Sequence, residues 1–300
     1  MWFRNLRLYR LQRELHLDLA QFEAALARRP LARCGSFEMA SRGWVFPSHD
    51  GVFVHAVNRQ WLLALGVEQK LLPGSVVRQT AQERAALIEA EQGRKVGRKE
   101  MRDIAERVTE ELMPKAFVRR RTTWAWLDPV NGWLALDAGS DARADEFMET
   151  LLTTLDDIAP RPLQTQVSPI AAMTDWLAGG EAPAGFSLDN DLELRSASES
   201  QAAIRYVHHA LSGPEIAEHI AAGKIATKLG MTWNDRVSFV LTDKLHIKRL
   251  AFLDIIKDQA EQSAASAEEQ FDADFALMSG ELVQLFGDLV IALGGELKTE

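Results

Sequence analysis

Between Ser75 and Met113 the chain is rich in Glu, Ala, Arg and Lys and poor in apolar residues. Such a composition favours helix, yet its apolar stripe is too thin to be buried in a large core. Any fold must therefore carry this segment as surface helices. Gly93 and Gly97 interrupt it and Pro114 ends it, which predicts two helices projecting from the body with a bend near Gly93 to Gly97.

The same bend lies in a basic run. From Gln92 to Arg121 ten Lys and Arg stand against five Asp and Glu, although the whole chain carries a net charge of −9 from 34 Lys+Arg and 43 Asp+Glu. The acidic excess sits at the other end: from Asp254 to Glu300 there are eleven acids and two bases. A basic segment on an acidic protein creates a local positive surface while the remainder repels wrong contacts.

Elsewhere the pattern alternates between strand and helix without regular β-α-β order. Phe3 to Leu11 reads as a half-buried strand with Leu6 and Leu8 on one side, and Asp18 caps a helix ended by Pro30. Trp44 to Pro47 and Val52 to Leu65 read as strands about a Ser48-His49-Asp50-Gly51 turn. Phe117 to Leu127 and Gly132 to Ala138 form a hairpin about Asp128-Pro129-Val130-Asn131-Gly132. Asp141 opens a helix to about Ile158, after which Pro160, Pro162 and Pro169 mark a crossover. A short helix over Ile170 to Leu177, strands at Asp191 to Ser196 and Ala203 to His209, and a helix from Gly213-Pro214 follow. Then come a meander over Lys224 to Thr232, Val237 to Leu241 and Ile247 to Phe252, and a helix over Asp272 to Leu293. This order predicts α+β with mixed, largely antiparallel sheets and a projecting helical finger. The expected division is a central α+β part over 1–74 and 115–165, the finger over 75–114, and a second α+β part over 166–300 ending in acidic helices.

Chemistry-bearing motifs are sparse. Gly93-Arg-Lys-Val-Gly97-Arg-Lys99 falls one residue short of a phosphate loop and has no Ser or Thr after the lysine. Neither Gly-x-Ser-x-Gly nor His-Glu-x-x-His occurs. His208-His209 is the only histidine pair, and adjacent strand residues point to opposite faces. The single cysteine, Cys34, excludes an intrachain disulfide and reads as a small buried hydrophobe. Asp128, Asp137 and Glu146 could serve Mg²⁺-dependent nuclease chemistry, but a turn, a strand end and a helix surface explain them better. No catalytic residue, metal site or cofactor is expected. The charged opening and the lack of an eighteen-residue apolar run predict a cytoplasmic protein without a membrane partner.

Arg119-Arg120-Arg121 is the most informative local feature. On a strand, Arg119 and Arg121 share one face, and helix-borne Arg94, Lys95, Arg98, Lys99 and Arg102 add a second cationic row at i, i+4 spacing. Guanidinium groups suit phosphates and neutralise them without reading bases. Trp124, Trp126 and Trp133 alternate in the hairpin and read as core rather than as base-stacking platforms.

Collinear segments over nearly the whole chain resemble the RdgC family. They include Trp2-Phe3-Arg4-Asn5-Leu6, Cys34-Gly35-Ser36, Gly43-Trp44-Val45, Lys70-Leu71-Leu72-Pro73, Leu112-Met113-Pro114-Lys115-Ala116-Phe117, Gly223-Lys224-Ile225-Ala226-Thr227-Lys228-Leu229 and Phe271-Asp272-Ala273-Asp274-Phe275. The resemblance implies a horseshoe-shaped subunit that pairs into a ring-shaped homodimer around double-stranded DNA. It further implies binding without sequence specificity, single-stranded DNA as a second ligand, nucleoid association, and antagonism of RecA in recombination and replication fork repair. Within it, Phe117 matches a ring-closing subunit contact, and Lys224 and Lys228 match basic positions facing DNA. Other members carry lysines where this chain has Val207-His208-His209. Two other readings stay open: a Mg²⁺-dependent nuclease, and a RecA-interacting regulator that acts through the acidic C-terminal region without encircling DNA.

Overall fold

A computed structural model describes residues 1–11, 18–155, 158–196, 202–211, 213–262 and 266–297. Their elements run, in order, β1 (Leu6–Arg10), α1 (Leu19–Leu26), β2 (Ala40–Val45), β3 (Val54–Val57), β4 (Gln60–Leu71), α2 (Gly74–Gln92), α3 (Arg98–Leu112), β5 (Phe117–Asp128), β6 (Trp133–Asp137) and α4 (Asp141–Thr154). They continue with β7 (Arg161–Pro162), α5 (Pro169–Gly179), β8 (Phe186–Ser196), β9 (Ala203–Tyr206), α6 (Pro214–Ala221), β10 (Lys224–Trp233), β11 (Val237–Thr242), β12 (Ile247–Phe252), α7 (Asp254–Gln262) and α8 (Ala267–Ala292). The expected α+β class with antiparallel sheet is what the chain adopts. It divides into two compact units, one of residues 1–25, 46–63 and 123–300, the other of residues 26–45 and 64–122.

The larger unit is built on antiparallel strands in the order β5-β6-β1-β12-β11-β10-β8-β9. The β5–β6 connection follows from its sequence. Asp128 is fully buried, and its carboxylate accepts hydrogen bonds from the Val130 and Asn131 amides at 2.9 and 3.0 Å, while Gly132 takes φ +72°. Asp137 accepts the amides of Arg4 and Asn5 at 3.1 and 2.8 Å. Two of the three carboxylates considered for Mg²⁺ are therefore engaged in backbone hydrogen bonds.

One face of this sheet carries the core. Leu6 and Leu8 of β1, Leu192 and Leu194 of β8, Leu229, Met231 and Trp233 of β10 and Ile247 of β12 pack with Met173 and Leu177 of α5 and with α8. Trp126 and Trp133 lie within 5.7 and 5.4 Å of Phe286, and Trp124 packs against the same cluster, so the hairpin tryptophans are core. By composition α8 is long and apolar enough to cross a membrane, but Phe275, Met278, Leu282, Leu285, Phe286 and Leu289 make it a core helix. Four of its acids are engaged as well. Asp274 holds the N-terminal ammonium, Glu281 holds Arg236, Asp288 accepts from Trp233 Nε1 at 2.8 Å and Asp272 meets His55 Nε2 at 3.0 Å.

The run Val52 to Leu65, read above as one strand, is two. Asn58 and Arg59 both take positive φ, +50° and +65°, and close a tight hairpin that pairs Val57 with Gln60. Two consecutive left-handed residues define the turn whose twist matches a hairpin, and Asn-Arg is a weaker signal for it than Asn-Gly. The α4 helix ends at Thr154, and residues 156–157 near its expected end lie outside the described residues.

In the smaller unit α2 and α3 pack on each other as an antiparallel pair through Ala81, Ala85, Ile104 and Val108. Gly93, at φ +66°, ends α2 with its amide on Glu89 O, and α3 starts after Gly97. Strand β2 pairs with β4 from Ala40↔Gln69 to Val45↔Ala64. A side chain at Gly43 would lie 2.5 Å from the Pro30 backbone, so this crossing requires glycine. Cys34 differs from its expected burial: it is partly exposed, with Sγ donating to Glu38 O at 2.9 Å and its amide donating to Glu68. The loop keeps it there because both groups serve as donors to neighbouring acceptors.

Candidate nucleic-acid interface

On β8 the apolar Leu192 and Leu194 enter the core, so Glu193 and Arg195 point to the opposite face of the sheet. Arg205 of β9 stands directly across from Glu193 on one side, and Lys228 of β10 directly across on the other. All three cations converge on the one carboxylate. Arg195 Nε lies 3.0 Å from Oε1, Arg205 Nε 2.7 Å and Lys228 Nζ 2.9 Å from Oε2, and the Thr227 hydroxyl donates to Oε1 at 3.1 Å. Burial by itself would raise the Glu193 pKa, but the hydrogen bonds from Lys228, Arg205 and Arg195 outweigh it and hold the carboxyl down at about 2.

Lys228 reaches this face because of a β-bulge. The β8–β10 register shifts between Ala226 and Lys228, so Thr227 is an extra residue. Ala226 faces the core, and strict alternation would have sent Lys228 there too. Lys224, before the bulge, lies on the other face, where its Nζ meets His219 Nδ1 of α6 at 3.3 Å. The two lysines matched by family resemblance are therefore separated by the thickness of the sheet.

The Lys228 face continues across β12 and β1. Lys248 pairs in register with Val240 and donates to Gly139 O at 2.6 Å; Arg7 is buried, bonded to Asp141 at 2.8 Å and to His246. Burial lowers the Lys248 pKa, and repulsion from Arg7 and Lys228 lowers it further against the attraction of Asp141. Positive charge is concentrated enough here that its members oppose one another. Arg249 is paired with Asp191 at 2.7 Å.

The smaller unit presents its cations differently. Arg94 and Lys95 lie in the linker between the helices, not on a helix, so the expected single i, i+4 row from Arg94 to Arg102 is not formed: the left-handed turn at Gly93 breaks the helix first. Arg94 makes two 2.7 Å hydrogen bonds to Glu100, which raises the pKa of the guanidinium and lowers that of the carboxyl, and Arg102 bonds Glu106 at 3.1 Å. Lys95, Arg98 and Lys99 are exposed and have no ion-pair partner among the described residues. On β5 the alternation of the arginine triplet holds: Arg120 bonds the buried Glu68 at 2.5 Å, Arg119 reaches Gln69 at 3.5 Å, and Arg121, which shares the parity of Arg119, is half-buried. Phe117, at the start of the same strand, is 84% exposed.

Arg195, Arg205 and Glu193 escaped the sequence reading. Their signal was present, since Leu192-Glu193-Leu194-Arg195 alternates cleanly, but only the register of β9 and β10 shows that three cations share one carboxylate. Among the described residues no group of three or more His, Cys, Asp and Glu side chains is placed to hold a metal ion.

Comparison with known proteins agrees along the whole chain. The family model described as "RdgC: Putative exonuclease, RdgC" matches residues 1–296. The chain is similar to proteins named Recombination-associated protein RdgC. With that of Dechloromonas aromatica it shares 57% identity over 300 residues, 99% of each chain. With that of Cupriavidus pinatubonensis it shares 52% over 298 residues, covering 99% of this chain and all of the relative. With that of Janthinobacterium sp. it shares 48% over 298 residues, 99% of each chain.

Proposed function

Because the chain belongs to the RdgC family, we propose that it binds duplex DNA without sequence specificity, two copies closing as a ring that restrains RecA-driven strand exchange in recombination and replication fork repair. The observation that carries DNA binding is the inter-helix turn, where Lys95, Arg98 and Lys99 are exposed without ion-pair partners among the described residues of a chain whose net charge is −9. Exposed cations of this kind bind phosphates and carry no base readout. Arg94 and Arg102 can join them once a phosphate competes with Glu100 and Glu106. Arg119 and Arg121 on one strand face, Lys228 and, on the other face, Lys224 complete the proposed contact set.

Encirclement is supported by Phe117, whose exposure on a strand suits a contact between subunits, and by the resemblance on which that role rests. A closed ring converts weak phosphate contacts into long residence, because release requires opening an interface or sliding off an end. It also reconciles an acidic chain with DNA: a two-fold arrangement pools the basic surfaces of both copies around one hole. Single strands carry the same phosphates and are a second ligand. In this reading the protein acts at the nucleoid in the cytoplasm.

The test is duplex binding as a function of salt, followed by retention on closed circular and linear DNA of equal length after a high-salt wash. Counterion release predicts a steep linear fall of log K with log salt. Retention on circles alone supports encirclement, and no binding at low salt removes the proposal. The word exonuclease in the family description is tested by incubating labelled linear duplex with Mg²⁺ or Mn²⁺ and looking for released nucleotides.

A further inference from the structure

We propose that Arg195, Arg205 and Lys228 form one phosphodiester-binding row on the sheet face away from the core, and that Glu193 is its positioning residue. The inference rests on the DNA-binding reading above and names a site within it. A carboxylate whose side chain is only 4% exposed is a costly way to stabilise a sheet, because an apolar residue of similar volume serves as well or better. What the carboxylate provides here is geometry. Three cations on one anion leave an excess of two positive charges, and the cations themselves are 43%, 66% and 42% exposed. The charge is therefore held from beneath and presented to solvent.

Both arginines bond Glu193 through Nε, and no further hydrogen bond of either guanidinium is found among the described residues. With no acceptor on them among the described residues, the terminal nitrogens can fork onto the two non-bridging oxygens of a phosphodiester, a geometry lysine cannot reproduce. Lys228 Nζ and Arg205 Nε lie 2.9 and 2.7 Å from the same Oε2, so charges from strands on either side of β8 gather over one carboxylate and can meet one phosphate together. Side chains already fixed lose less conformational freedom on binding than free surface lysines. The bulge at Thr227 serves the same end, since it turns Lys228 outward and places the Thr227 hydroxyl on Glu193.

The test separates positioning from charge counting, because the two predict opposite signs. Glu193→Gln removes a negative charge from a DNA-binding face, so charge alone predicts tighter binding. Positioning predicts weaker binding, by about five- to tenfold, with the salt slope shallower by about one to two phosphate contacts. Arg195→Lys with Arg205→Lys keeps the charge and loses the forks, and should weaken binding similarly. The full-length protein is titrated with a fluorescent duplex over a range of NaCl, its fold checked by circular dichroism. If the unaltered protein binds no duplex, the DNA-binding reading itself fails. If it binds and folded Glu193→Gln binds as tightly or more tightly, or the double lysine variant matches the unaltered protein, the positioning role is overturned. Should Glu193→Gln not fold, the lysine pair decides alone, since those side chains are exposed.

Discussion

Arg236 donates through Nε and Nη2 to the two carboxylate oxygens of Glu281, at 3.0 and 2.5 Å, and so ties the β10–β11 turn to the middle of α8. Glu281 is buried and raises the Arg236 pKa through this pair. Arg236→Ala leaves that carboxylate without its cation, and a loss of about 2–3 kcal/mol is expected in urea unfolding. Arg236→Ala combined with Glu281→Leu should recover much of it. A double variant no more stable than Arg236→Ala would refute this account.

Acid should weaken the Glu193 cluster in a defined window. The folded carboxyl is depressed to about 2 from an ordinary value of 4.5, so its contribution is fully present above 4.5 and is lost as the pH falls toward 2. Thermal unfolding of the native protein and of Glu193→Gln between pH 5 and pH 2 should converge as the pH drops. Curves that stay parallel would count against the ion cluster.

The inter-helix turn separates neutralised from unneutralised cations. Replacing Lys95, Arg98 and Lys99 by Ala should lower the salt slope of duplex binding by up to about three contacts and leave the unfolding free energy within about 0.5 kcal/mol of the native one. Arg94→Ala should cost less affinity than any of these three replacements, because Glu100 already occupies Arg94. Isothermal titration of each single variant provides the ranking.

Phe117→Ser should leave the secondary structure of the subunit unchanged, because the side chain touches little within it. If Phe117 forms part of a subunit contact, sedimentation should show the variant dissociating at higher protein concentration than the native chain, with retention on circular DNA falling in parallel. Unchanged sedimentation with unchanged retention would remove Phe117 from the interface.

Local chemistry made much of the fold legible in the sequence. The Asp128 to Gly132 turn, the cap at Asp18 and the break at Gly93 each follow from side chains within a few residues of one another. What stayed hidden depends on register between distant strands. Nothing near Thr227 announces a bulge, so Lys224 and Lys228 look equivalent in sequence and emerge on opposite faces. Charge counting misled at the C-terminal end for the same reason. Asp272, Asp274, Glu281 and Asp288 look like an acidic surface, yet their partners come from residues 1, 55, 233 and 236.

The bulge at Thr227 also changes how relatives should be compared. Deleting Thr227 would make β10 a regular strand and keep Lys228 opposite Glu193, losing only the Thr227 hydroxyl on Glu193, whereas closing the bulge without a deletion would send Lys228 to the core face. Orientation in this stretch is therefore set by the count of residues against β8: one fewer leaves Lys228 where it is, while one more, unmatched on β8, displaces every side chain beyond it.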